Sequence, residues 1–210
     1  VPALGIEPAE NVAEAARQIG VPTEARFFGK ETAQDLLSRG LAADMVIGNN
    51  VLAHVPDIND FARGFALLLK PDGVATFEFP HLLEMVRGSQ FDTAYHEHYS
   101  YLSLMAVERV FRLAGLRVFD VETTPWHGGS LRVFACRDGA AHVESQAVAA
   151  MRALGSPFRS TGYIDSDLVT AYEKFGRGIE NIDEFGNIEI DDGSGPTLID
   201  DYYFTGSWPN

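Results

Sequence analysis

The chain is expected to be an α/β protein built on a largely parallel, helix-covered sheet. Three observations predict this. Short apolar runs bounded by turn residues alternate with stretches of helical periodicity over residues 3–137. One of those runs, Met45-Val46-Ile47-Gly48, is unbroken apolar sequence, as expected of a buried parallel strand. Towards the C-terminal end, Leu116 to Val121 and Leu131 to Cys136 flank a loop and read as an antiparallel pair that closes the sheet.

The elements follow in order. Ala3-Leu4-Gly5-Ile6 reads as a strand that ends in Glu7-Pro8, and a helix follows through Val12, Ala15, Ala16 and Ile19, stopped by Gly20. Arg26-Phe27-Phe28 is expected as a second short strand, with Thr32 as the N-cap of a helix that ends at Gly40. The apolar strand at Met45 runs straight into Asn49-Asn50. The next helix spans roughly Ile58 to Leu69 and buries Phe61, Phe65, Leu68 and Leu69. The turn Lys70-Pro71-Asp72-Gly73 feeds a strand from Val74 to Phe79. Leu104 to Leu113 is one more amphipathic helix, ended by Gly115, and the last strand pair carries Trp126-His127-Gly128-Gly129 in its loop.

Composition bounds the function. With 210 residues, 46% hydrophobic and 22% charged, the chain can bury one good core, so one domain and an appendage are expected. A net charge of -14 argues against nucleic acid as a partner, because phosphate binding needs clustered Lys and Arg. The single cysteine, Cys136, excludes an intramolecular disulfide and fits a reducing compartment, most simply the cytoplasm. No apolar run approaches membrane-spanning length, so no membrane is expected as a partner. The chain opens on Val1 inside a strand, and we expect part of the fold to lie upstream of it.

In open parallel sheets, ligands sit beyond the carboxyl ends of the strands. Glu7, the pair Asn49-Asn50 and the stretch after Phe79 are expected there. Beyond Phe79 lies Tyr95-His96-Glu97-His98-Tyr99-Ser100-Tyr101, which puts two imidazoles, a carboxylate and three phenols into seven residues. An all-polar heptad is no core strand, and its groups are those of proton transfer and hydrogen bonding. His96 and His98 share the spacing of a metal pair, but a third ligand is not evident and no metal is assigned. Tyr99 and Tyr101 read as packing residues, and His54 as capping or packing.

Several motifs carry a family resemblance. In order they are Leu4-Gly5-Ile6-Glu7-Pro8, Gly48-Asn49-Asn50-Val51-Leu52-Ala53-His54-Val55-Pro56-Asp57, Phe77-Glu78-Phe79-Pro80-His81, Phe91 through Ser103, and His127-Gly128-Gly129-Ser130-Leu131-Arg132. Together they resemble the S-adenosylmethionine-dependent C-methyltransferases of nucleotide-linked deoxysugars, over about residues 4–137. The resemblance implies a Rossmann-like class I methyltransferase core that is incomplete, with its first strand and glycine-rich loop missing. It also implies a small zinc-binding module upstream, so structural zinc belongs to that missing module. The likeness fades beyond roughly Gly155. Residues 1–140 are therefore expected as a partial core, 141–182 as a helical extension, and 183–210 as a divergent acidic tail holding seven acidic residues and no Lys or Arg.

Roles follow from the resemblance and the chemistry. The implied cofactor is S-adenosylmethionine, with Glu7 on the ribose, Phe28 or Gly29 near the adenine, and Asn49 and Asn50 near the methionine part or the substrate. The implied substrate is a nucleotide sugar, dTDP-linked, with a ketone at C4 and methylation at C3; Glu78, His81 and His127 are placed towards it, with capping or packing at the strand-end turn as the other reading of His81. Methylation at carbon needs a base beside the ketone and a donor for the enolate. The resemblance favours His98 as base, Glu97 as its orienting group and Tyr95 as donor to the ketone oxygen, with His96 as the competing base. An extended segment would put Tyr95 and His98 on opposite faces, so this assignment requires a bend between them. A nicotinamide-dependent dehydrogenase fits less well, because the heptad lacks the Tyr-x-x-x-Lys pattern of the short-chain class. A non-catalytic fragment of a methyltransferase is the other alternative, since a sheet lacking its first strand and phosphate loop exposes unpaired edges.

Overall fold

The computed structural model describes residues 2–93, 96–155, 178–182, 188–191 and 196–198. The first unit is parallel β-α-β: β1 (Gly5–Ile6), α1 (Glu10–Gln18) and β2 (Thr23–Glu24), with Gly5 paired to Thr23 and Ile6 to Glu24. The second strand thus lies earlier than the expected Arg26-Phe27-Phe28. Arg26 donates its backbone N–H to Glu7 O and Glu24 O, and the chain then leaves the pairing line. Gly20, at φ 88, turns the chain out of α1 as expected.

Helix α2 (Lys30–Ser38) starts earlier than expected, with Gly29 at its N-cap. Thr32 lies inside the first turn, where its hydroxyl donates to Phe27 O at 2.6 Å. Strand β3 (Ala43–Asn49) leads through a 3-10 turn, Leu52–His54, to α3 (Ile58–Leu68), capped by the Asp57 carboxylate accepting from Asp60 N at 2.9 Å. Strand β4 (Leu69–Pro80) absorbs the predicted turn. Ala43 pairs with Leu69 and Met45 already with Val74, so Lys70–Gly73 bulge out of the ladder between those pairs.

A short helix that the sequence did not announce, α4 (Leu82–Arg87), follows β4. Helix α5 (Leu104–Ala114) ends at left-handed Gly115, and β5 (Leu116–Thr124) returns antiparallel to β6 (Ser130–Arg137). Helix α6 (Gln146–Gly155) comes next. Strand β7 (Gly178–Ile182) falls in the stretch expected to be helical, and it pairs antiparallel with β8 (Ile188–Asp191), which pairs with β9 (Pro196–Leu198), both in the expected tail.

The main sheet has the order β3-β4-β6-β5, with β3-β4 parallel and the rest antiparallel. One face is packed. The Phe65 ring lies 4.4 Å from that of Phe77, and Phe77 lies 4.7 Å from Phe111, so α3, β4 and α5 are joined through a row of tilted aromatic contacts. Gly48 of β3 sits on this face, with Phe65 3.1 Å from where its Cβ would be. The opposite face of β3 departs from expectation: Met45 is 57% exposed and Ile47 61%. Among the described residues, no strand pairs with that edge of β3 and no helix covers Met45 or Ile47. Ile6 of β1 and Val46 of β3 nevertheless both pack against the cluster of Ala33, Leu36 and Leu68. The two sheets therefore share a helical layer without sharing hydrogen bonds, which is the partial Rossmann-like core the resemblance implied. No helix among the described residues is long and apolar enough to cross a membrane.

Candidate active site

The carboxyl ends of β3 and β4 converge on the polar heptad. Asn50 takes φ 48, a conformation that asparagine tolerates better than most residues, and its N–H donates to Glu78 O at 2.7 Å. This ties the loop after β3 to the end of β4. The 3-10 turn that follows is then docked against the heptad, because Ala53 O accepts from the N–H groups of Tyr99 at 2.8 Å and Ser100 at 3.3 Å. The heptad itself turns at His96–Glu97, between Tyr95 and His98, where the assignment required a bend. Tyr95 lies outside the described residues.

His98 is 8% exposed, and its Nδ1 lies 2.9 Å from Thr93 O. A carbonyl oxygen only accepts, so the contact makes Nδ1 the protonated nitrogen and leaves Nε2 with its lone pair. His54 has the same arrangement, with Nδ1 2.9 Å from Glu97 O. The two imidazoles lie 4.7 Å apart at 45°, and the Tyr101 ring meets His98 edge-on at 5.8 Å. Burial pushes the pKa of His98 below its ordinary value; the Thr93 carbonyl opposes this, and the neighbouring His54 and, more weakly, His127 reinforce it. His98 is consequently neutral at pH 7. His96 and Glu97 are exposed.

The second group lies on the sheet face opposite the aromatic core. Register places Asn49, Glu78, Arg132 and Glu122 in one row across β3, β4, β6 and β5, with Ser130 and Thr124 in the next row. The Arg132 guanidinium is committed to Glu122 at 2.7 Å. The Glu78 side chain is only 7% exposed and its Oε1 has no hydrogen-bond partner, although His127 Nδ1 stands 3.6 Å away. His127 is held at φ 53 in the 3-10 turn Trp126–Gly128. That turn is seated on the end of α4 by Gln90, whose Nε2 donates to Gly128 O at 2.7 Å.

His81 behaves differently from the other two residues placed towards the substrate. It is 3% exposed at the N-cap of α4, and burial pushes its pKa down to about 4, against the opposing charge of Glu84. Of the residues expected to hold the cofactor, Glu7 follows β1, and one carboxylate oxygen accepts from Ala9 N at 2.8 Å. Phe28 is half-buried, with its ring edge-on to Phe61 at 5.6 Å and to Phe65 at 5.1 Å, and Gly29 is buried beside it. A groove of about 450 Å³, lined by Lys30, Arg63, Gly115 and Arg137, lies at the other end of the sheet.

His54, read from the sequence as a capping or packing residue, is the one whose place beside His98 that reading missed. Its signal was its place in the Asn49–Asp57 motif, five residues after Asn49 at a strand end.

The methyltransferase-domain family matches residues 1–121. C-methyltransferase NovU of Streptomyces niveus is 42% identical over 150 residues, which cover 71% of this chain and 36% of that protein. The chain thus spans about a third of the length of this curated relative. An S-adenosylmethionine-dependent methyltransferase from Thermotoga maritima, described as a possible histamine N-methyltransferase, superposes with a TM-score of 0.50 at 18% identity, covering 64% of this chain and 72% of that one. That likeness is one of fold.

Proposed function

Because the chain belongs to the methyltransferase-domain family, we propose that it is the core of an S-adenosylmethionine-dependent C-methyltransferase acting on a nucleotide-linked 4-keto-deoxysugar. The observation that carries this reading is the buried His98, its Nδ1 held by Thr93 O so that Nε2 is the basic nitrogen of the ring, with burial favouring the neutral form. The 42% identity to a C-methyltransferase favours carbon as the acceptor.

When bound, S-adenosylmethionine supplies the methyl group. Glu7 fits its ribose: the carboxylate stands at a strand end with one oxygen engaged by Ala9 N–H, and the other is suited to the ribose hydroxyls. Phe28, Gly29, Asn49 and Asn50 complete the cofactor side in this reading. His98 Nε2 takes the proton from the carbon beside the ketone, and the electron pair of that C–H bond moves into an enolate whose oxygen accepts from Tyr95. Glu97 orients the histidine pair through its backbone carbonyl, which holds His54. His54 joins the assignment because its ring faces His98, while His96, exposed on the turn, is the weaker candidate for base. We place Glu78 and His127 against the sugar and read the nucleotide as dTDP.

A second reading, a polypeptide that binds or associates without turnover, is favoured by the split sheet, in which β1 and β2 pair only with each other among the described residues. Calorimetry with S-adenosylhomocysteine separates the two, since binding supports the enzyme core and its absence the non-catalytic reading. In a binding-competent protein, His98→Ala is expected to lower methyl transfer by about 100- to 10,000-fold while leaving cofactor affinity unchanged. Full activity in that variant would remove His98 from the mechanism.

A further inference from the structure

The Glu78 carboxylate is hard to account for as structure alone. It is nearly buried and lacks a donor for Oε1, while the guanidinium in its row is spent on Glu122. A buried carboxylate oxygen without a donor is costly, and such an atom is kept where a ligand completes it. The group facing it is also incomplete. Ser130 Oγ donates to Trp126 O at 3.2 Å, so His127 Nδ1 is the donor in its own contact with Ser130 Oγ. The two acceptors beside that N–H, Ser130 Oγ at 3.4 Å and Glu78 Oε1 at 3.6 Å, are both beyond the usual range of about 2.7–3.2 Å.

One small group closes both gaps. An oxygen about 2.8 Å from Glu78 Oε1 and from His127 Nδ1 would see them at an angle of about 80°, as a single hydroxyl can. Such a group has to donate to the carboxylate and accept from the imidazole. A hydroxyl does both, whereas an ammonium cannot accept. The same loop presents the Trp126 indole, 65% exposed, an apolar face of the kind on which the C–H side of a pyranose packs.

We propose that Glu78, His127 and Trp126 form a sugar subsite in which Glu78 Oε1 and His127 Nδ1 grip one ring hydroxyl of the substrate and Trp126 covers the ring. The proposal rests on the nucleotide-sugar reading above, and it makes Glu78 and His127 specificity-determining. Titration calorimetry on the full chain with dTDP-glucose, free dTDP and S-adenosylhomocysteine tests it. Glu78→Leu is expected to weaken dTDP-glucose about 10- to 100-fold, Glu78→Gln by less because an acceptor oxygen remains, and all variants to bind dTDP and S-adenosylhomocysteine as the wild type does. His127→Ala, in an exposed turn, repeats the test without disturbing the sheet, and its dTDP-glucose affinity is expected to fall about tenfold. Unchanged dTDP-glucose affinity in both Glu78→Gln and His127→Ala, no dTDP-glucose binding by the wild type, or an equal loss of free dTDP would each overturn the subsite. Failure of the wild type to bind S-adenosylhomocysteine would instead strike the methyltransferase reading, since no cofactor contact is assigned to these three residues.

Discussion

On one face of the four-stranded sheet Phe77, Val133 and Leu131 are fully buried beneath α3 and α5, whereas on the other, at the β3 edge, Met45 and Ile47 stand open. The same strands supply both faces, and apolar residues occur on each. The packed face holds the sheet together, and the other carries the unsatisfied Glu78 and the row of polar groups beside it. The contrast teaches that an apolar strand is buried only where something is placed over it. It also separates what stabilises the sheet from what is available to ligands.

The largest effect expected is on the packed face. Phe77→Ala should cost about 3–5 kcal/mol in urea unfolding, because it empties the centre of an aromatic row whose neighbours, Phe65 and Phe111, sit on different helices. A loss under about 1 kcal/mol would mean that α3 and α5 hold the sheet by other contacts.

The boundary of the contrast is sharpened by pH at His81, where β4 ends. Its pKa is lowered from the ordinary 6.5 to about 4, so between those values the unfolded chain binds the proton more readily than the folded one. The stability conferred by the neutral ring is complete above pH 6.5, falls as pH drops towards 4, and is flat below that. The full excursion is worth up to about 3 kcal/mol. Urea midpoints measured between pH 7 and pH 4 should fall less steeply in His81→Gln than in the wild type; identical slopes would put the acid sensitivity elsewhere.

The smallest effect belongs to the open face. Ile47→Ala should shift stability by no more than about 0.5 kcal/mol, as for other exposed substitutions. A cost approaching that of Phe77→Ala would break the comparison and show that Ile47 is covered in the protein as it exists in solution.

Much of the fold was legible because local rules agree with it. The stop at Gly115 is left-handed as its place after a helix demands, and α3 and α5 fall where the 3.6-residue spacing of Phe61, Phe65, Val107 and Phe111 puts them. Misreadings came where pairing decided the outcome. The second strand lies at Thr23–Glu24 because Gly5 and Ile6 select those partners, although Phe27-Phe28 has the higher strand propensity. Likewise Thr32 had the chemistry of an N-cap, but the chain entered the helix three residues before Thr32's successor and left its hydroxyl for Phe27 O.

For the site, composition was enough to single out His96 through Tyr101, since so many ionisable groups in so short a run have no core role. The bend was required by the roles that the family resemblance implies for Tyr95 and His98, since alternation along an extended segment would part them. Which histidine is buried, which nitrogen carries the proton, that His54 comes within ring contact, and that Glu78 and His127 lie 3.6 Å apart were decided by tertiary structure alone. The physical reason is range: helix periodicity, caps and turns are set within a few residues, whereas burial, tautomer and the pairing of groups 44 or 49 positions apart, His54 with His98 and Glu78 with His127, depend on which strand ends the packed sheet brings together.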